Sequence, residues 1–132
     1  MKELQLIRVN KRYKLDNKMT FQALFDVNVE FDKGELVSIV GESGSGKSTL
    51  MNLIGGLDSD FTGTIIAGGE DLRKLSEKQL DKYRKNKVGF VFQSFNLISH
   101  LSILDNVTLA LTLSNISEKE KVEKATRLLK RV

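Results

Sequence analysis

The chain has 132 residues, 40% apolar and 29% charged, with a formal net charge of +4 and neither cysteine nor proline. That length suits one domain with a modest core and not two. No run approaches the ~18 consecutive apolar residues of a membrane helix, no apolar block with a cleavage site marks the first fifteen residues as a signal peptide, and zero cysteines leave no disulfide or thiolate metal site.

Residues 1–9 read as a strand, with Leu4 and Leu6 on one face and Ile7 and Val9 less clearly sided. Residues 10–20 are polar and predict a loop. From 25 to 31 the pattern alternates: Phe25, Val27, Val29 and Phe31 point one way, and Asp26, Asn28 and Glu30 the other. That is a half-buried strand of an antiparallel sheet with one wet face. Asp32, Lys33 and Gly34 make a turn, the glycine supplying a positive φ. Residues 36–40 form the nearly continuous apolar run of a strand buried on both faces. A helix is predicted from near Lys47 to about Leu57, on the spacing of Leu50, Leu53, Ile54 and Leu57.

A further short strand covers 64–67 and ends at Gly68 and Gly69. Ser76 with Gln79 forms a capping box that opens a helix to about Asn86. Residues 88–92 predict another apolar strand, 93–102 a loop, and 103–113 a helix. Ser117 with Glu120 caps a last helix whose Val122, Ala125, Leu129 and Val132 share one face. The basic residues gather at 82–87 and 119–131. Glu118, Glu120 and Glu123 interleave with the lysines, as on a solvated helix with i,i+4 pairs, so nucleic acid is not the expected partner.

The chemistry sits between the apolar run and the helix that follows. Gly41, Glu42, Ser43, Gly44, Ser45, Gly46, Lys47 and Ser48 match the phosphate-loop pattern of two glycines set apart by four residues, then Lys and Ser. A triphosphate must be met by many donors at once, and backbone N–H groups converge on it only where the chain wraps tightly. Gly41, Gly44 and Gly46 permit that wrapping. The helix then aims its N-terminus at the phosphates, with Thr49 in its first turn. Lys47 reaches the β- and γ-phosphates and the Ser48 hydroxyl ligates Mg2+, so ATP with magnesium is the expected ligand. A plain glycine turn with a solvated lysine is the alternative, and the position between a buried strand and an amphipathic helix counts against it. The loop fixes the ligand and not the job. Two antiparallel-looking strands precede it, unlike most small kinases and GTPases of this class.

The blocks GESGSGKSTLMNLIGGLD and VGFVFQSFNLISHLSILDNV resemble the ATPase domain of ABC transporters. The likeness is strongest to the group that drives lipoprotein release and macrolide or antimicrobial-peptide export. The resemblance implies an α/β P-loop (RecA-like) core with an N-terminal antiparallel β-subdomain and the start of a helical subdomain. The sheet would be incomplete, with the β-subdomain and core segment over about 1–92 and the Q-loop and helical start over about 93–132. It implies that Gln93 is the Q-loop glutamine, sensing magnesium and the attacking water. Tyr13 would be the aromatic that stacks on adenine, with Phe21 as the runner-up. His100 lies in the Q-loop region and does not resemble the switch histidine. Ser99, and the stretch 58–63, depart from the family's usual prolines and affect loop stiffness alone.

The resemblance further implies a transmembrane permease partner, a second copy of the ATPase domain sandwiching ATP, and a cytoplasmic location on the inner face of the membrane. The family's signature motif, its apolar run ending in Asp-Glu and its switch histidine do not occur in the sequence. The chain is therefore expected to be an N-terminal portion that binds ATP and hydrolyses it slowly or not at all. A non-hydrolysing nucleotide-binding or interaction module remains open. An ATPase of DNA repair is weakened, since no long coiled-coil insertion follows the Q-loop block.

Overall fold

Two long strands, β1 (Lys2–Lys14) and β2 (Thr20–Asp32), pair antiparallel and carry the first part of the chain. β3 (Thr62–Ala67) pairs with the other side of β1, and the two-residue β4 (Glu70–Asp71) closes a four-stranded sheet in the order β2-β1-β3-β4. The computed structural model describes residues 2–15, 19–112 and 114–132. It divides into two units, Met1–Phe90 and Val91–Val132. No helix among the described residues is long and apolar enough to cross a membrane.

The β1–β2 pairing is interrupted by shifts that change which side chains face inward. Arg8 (φ 49) and Asp26 (φ 44) adopt left-handed backbone, and register slips occur on both strands around them. Two asparagines fill the gaps. The Arg8 N–H donates to Asn28 Oδ1 at 2.8 Å and the Asp26 N–H to Asn10 Oδ1 at 2.9 Å. Each asparagine amide then donates to the carbonyl of the left-handed residue on its own strand, Asn10 to Arg8 and Asn28 to Asp26. A bulge leaves one extra residue unpaired and reverses the alternation beyond it.

That reversal corrects two expectations. Val27, Val29 and Phe31 are half-buried as the alternation predicts, but Phe25 is 78% exposed and Leu24, at 7%, takes the inward place. Residues 10–14 and 20, read as loop, continue the two strands, with Tyr13 opposite Phe21 and Lys14 opposite Thr20. The remainder of that predicted loop at 16–18, like Met1 of the first strand, lies outside the described residues.

Helix α1 (Lys47–Ile54) packs Leu50 and Leu53 against Leu6, Val9 and Leu24 of the sheet and Ile65 of β3. It ends sooner than the apolar spacing predicts, because Gly56 turns left-handed (φ 66) and the Leu57 N–H folds back to the Asn52 carbonyl at 2.9 Å. A 3₁₀ turn at Leu72–Lys74 leads to α2 (Glu77–Lys87), opened by the predicted capping box in which the Ser76 N–H donates to Gln79 Oε1 at 2.9 Å. Tyr83 of α2 is buried against the core and donates its hydroxyl to the Ile54 carbonyl at 2.8 Å.

The strands expected at 36–40 and 88–92 do not form. Neither segment joins the described sheet, and Leu36 and Val91 are fully exposed. A strand buried on both faces needs a backbone partner on each side, and no described strand of this sheet pairs with either segment.

In the second unit, Ser102 caps α3 (Ile103–Leu109), accepting from the Asp105 N–H at 3.0 Å. The helix stops short of the predicted 113, and Leu113 lies outside the described residues. Asn106 accepts from the Ile98 N–H at 2.8 Å and donates to the Ser102 carbonyl at 2.9 Å, tying the preceding loop to α3. Helix α4 (Glu118–Leu129) starts at the predicted box, the Ser117 N–H donating to Glu120 Oε2 at 2.9 Å. Its buried residues are Lys121 and Ala125, whereas Val122 and Val132 of the expected face are exposed.

Candidate phosphate-binding loop

Residues 41–46 lead into α1 as a tight loop. The Ser45 N–H donates to the Glu42 carbonyl at 3.2 Å, and Gly44 and Gly46 take φ of 81° and 90°. Gly46 is the N-cap of α1 and lies directly on β2. A Cβ built there would meet the Ala23 carbonyl oxygen at 2.6 Å and Leu24 Cδ2 at 2.9 Å. Ala23 is itself the extra residue of a register shift, since Lys11 pairs with Leu24 and Arg12 with Gln22. The bulge turns the Ala23 carbonyl region toward the loop, and only glycine fits above it. At Gly41 a Cβ would meet Ser45 Oγ at 2.7 Å.

Lys47 opens the helix and bends back into the loop. Its ammonium donates to the Gly41 carbonyl at 2.9 Å, the Glu42 carbonyl at 2.6 Å and Ser45 Oγ at 3.2 Å. All three donors of the ammonium are thus engaged, and the loop closes around the charge. Ser48 is exposed and Thr49 half-buried in the first turn of α1, while Glu42 and Ser43 are exposed on the rim. A helix start leaves its first N–H groups without partners inside the helix, and with the lysine beside them these are the donors that suit an anionic phosphate chain. Among the described residues no group of three His, Asp or Glu side chains converges as a metal site.

Tyr13 is half-buried near the end of β1, paired with Phe21, which stands two residues from Ala23. Its ring lies under the Lys11 ammonium, 4.8 Å from Nζ to the ring centroid. Lys11 is the residue that sequence reasoning missed. It is 3% exposed, bonded to Asp58 Oδ1 at 3.0 Å, the Asp60 carbonyl at 2.6 Å and Asp60 Oδ2 at 3.2 Å. Burial alone would lower its pKa, but the two aspartates outweigh that and hold it above the ordinary 10.5. The available signal was its spacing: two residues before Tyr13 on a strand, hence on the same face. Gln93 and His100, both exposed, belong to the second unit, where Asn96 after Gln93 is left-handed (φ 50) and accepts from Ser94 Oγ at 2.8 Å.

A glycine loop that closes on a lysine at a helix start is the P-loop motif. The sequence profile of the ABC transporter family matches residues 24–132, and the chain belongs to that family. It is 43% identical over 129 residues to the uncharacterized ABC transporter ATP-binding protein YknY of Bacillus subtilis, covering 98% of this chain and 56% of that protein. It is 39% identical over 126 residues to the macrolide export ATP-binding/permease protein MacB of Mannheimia succiniciproducens, covering 96% of this chain and 20% of that protein. An ATP-binding cassette solved as a dimer in a post-hydrolysis state with ADP and Pi superposes with a TM-score of 0.84 at 41% identity, covering 96% of this chain and 56% of that one. The chain thus spans about half the length of YknY and of the solved cassette, and a fifth of MacB.

Proposed function

We propose that residues 41–49 bind the triphosphate of ATP with Mg2+. The observation that carries this is the loop closed around the Lys47 ammonium, with Gly46 seated on Ala23. The loop's backbone N–H groups and the start of α1 would hold the phosphates, and Lys47 would move from the loop carbonyls to the phosphate oxygens. Ser48 would hold the magnesium ion; Gln93 is carried as a metal ligand by the family resemblance alone. When bound, the metal neutralises charge on the phosphate oxygens. Tyr13 supplies the ring on which adenine stacks, Phe21 being the second candidate.

In the whole protein this segment would serve as the front of an ATPase subunit that couples ATP binding and hydrolysis to export. Its partners would be a transmembrane permease and a second copy of the cassette, at the inner face of the membrane. MacB, named for macrolide export, and the dimeric cassette support that reading. Residues up to about 92 would form the β-subdomain and loop core, and those from about 93 the Q-loop and the start of the helical part. The 132 residues alone would bind and not turn over, since no apolar run here ends in the Asp-Glu that would activate water.

The test is a Mg-ATP titration of the chain beside Lys47→Ala, reading both binding and phosphate release. Binding lost in the variant, without phosphate release by either, is expected. Binding that survives Lys47→Ala would overturn the site, and sustained Lys47-dependent release would overturn the non-hydrolysing reading.

A further inference from the structure

β1 places a charge where its inward face calls for an apolar side chain. Leu6 and Val9 are core residues, and Lys11, next on that face, is as buried as they are. The cation is buried while the Asp60 side chain is 91% exposed, and a buried charge is seldom a gain in stability over a well-packed apolar residue. The ammonium donors go to the Asp58 carboxylate (Oδ2 at 2.8 Å, Oδ1 at 3.0 Å), the Asp60 carbonyl and Asp60 Oδ2, all on the segment joining α1 to β3. With every donor engaged, the cation has one position, and that position is over the Tyr13 ring at 4.8 Å.

We infer that Lys11, clamped by Asp58 and Asp60, is a positioning residue for nucleobase recognition, fixing the Tyr13 ring so that its other face receives adenine. This rests on the reading of Tyr13 as the base platform. The cation takes one face of the ring and fixes its tilt; the base takes the opposite face without first ordering the side chain, which lowers the cost of binding. Lys11, 3% exposed, would itself touch neither phosphate nor base. The clamp also joins the exit of α1 to the strand carrying Tyr13, so base platform and phosphate loop are set by one rigid frame.

The test compares Mg-ATP with Mg-tripolyphosphate, which has the phosphates and no base, by calorimetric titration of the chain. Lys11→Met is expected to weaken Mg-ATP about five-fold, the scale of a cation–π contact at the weaker end of its range. It should leave Mg-tripolyphosphate within about two-fold, and Lys11→Arg, which keeps the cation, should recover most of the ATP affinity. Equal loss of both ligands in Lys11→Met would overturn the inference, because Lys11 would then only hold the fold. Tyr13→Ala separates the two readings. If it leaves Mg-ATP affinity unchanged, the platform reading fails and the Lys11 role with it. If it weakens Mg-ATP while Lys11→Met does not, the Lys11 role alone fails. Should Lys11→Met not fold, Asp58→Asn loosens the clamp while keeping the lysine, and a loss confined to ATP is again expected.

Discussion

The carbonyl oxygen of Ala23 lies 2.6 Å from where a Cβ on Gly46 would stand. The phosphate loop is therefore shaped as much by the bulged strand beneath it as by its own glycines. Gly44 has a similar left-handed backbone (φ 81) but nothing within 4 Å of its Cβ position. Gly46→Ala should cost about 3 kcal/mol, from strain and overlap together. Gly44→Ala should cost about 1 kcal/mol, from backbone alone. Urea denaturation of the two variants checks the ranking; equal costs would mean the loop does not rest on β2.

The parity change in β2 makes a sharp contrast between neighbours. Leu24→Ala removes a core side chain beside Leu50 and Leu53 and should cost about 3 kcal/mol. Phe25→Ala, though it deletes a larger apolar group, should change stability by less than about 0.5 kcal/mol. A large cost at Phe25 would restore the uninterrupted alternation.

That contrast also shows what could be read from the sequence. Both capping boxes and the glycine turn that leads into α1 were legible because each depends on residues within a few positions. The inward place of Leu24 was not, because it depends on the left-handed Asp26, held by Asn10 of the facing strand, much as Arg8 of β1 is held by Asn28. The strands at 36–40 and 88–92 were read from composition, which reports burial but not the presence of a pairing partner. Lys11 was hidden for a similar reason: its aspartates lie more than forty residues away.

The asparagine pair should be measurable by deletion. Asn10→Ala and Asn28→Ala each remove one acceptor from a backbone N–H and one donor to a carbonyl, and each should cost about 1 kcal/mol. Stability measured by denaturant should fall for both, while Asn52→Ala serves as a helix control with no such role. No loss at either position would show that solvent replaces the side-chain amides.

Helix α4 should respond to acid through Glu120. The Ser117 N–H, then the Ser117 hydroxyl, holds the Glu120 carboxyl below its ordinary 4.5. A carboxyl lowered in the folded state contributes stability that is present above 4.5 and lost as pH falls through its folded value. Helicity of α4, followed by circular dichroism or the Ser117 amide shift, should fall in that acid window. Glu120→Gln should remove the pH dependence while keeping the box. An unchanged acid profile in Glu120→Gln would assign the transition to another carboxyl.

The described sheet guards its own margins. β2, at one side, is kinked by bulges at Ala23 and Asp26, and β4, at the other, has only two residues. Such margins offer a poor template to another chain. Residues 36–40 have none of these devices: they are apolar apart from Ser38, largely exposed and in no described strand, between Glu35 and Glu42. Self-association of the chain should therefore nucleate there, in a concentration-dependent growth of cross-strand aggregates. A single lysine in place of Val40, which is already at the surface, should slow that growth while leaving the core intact.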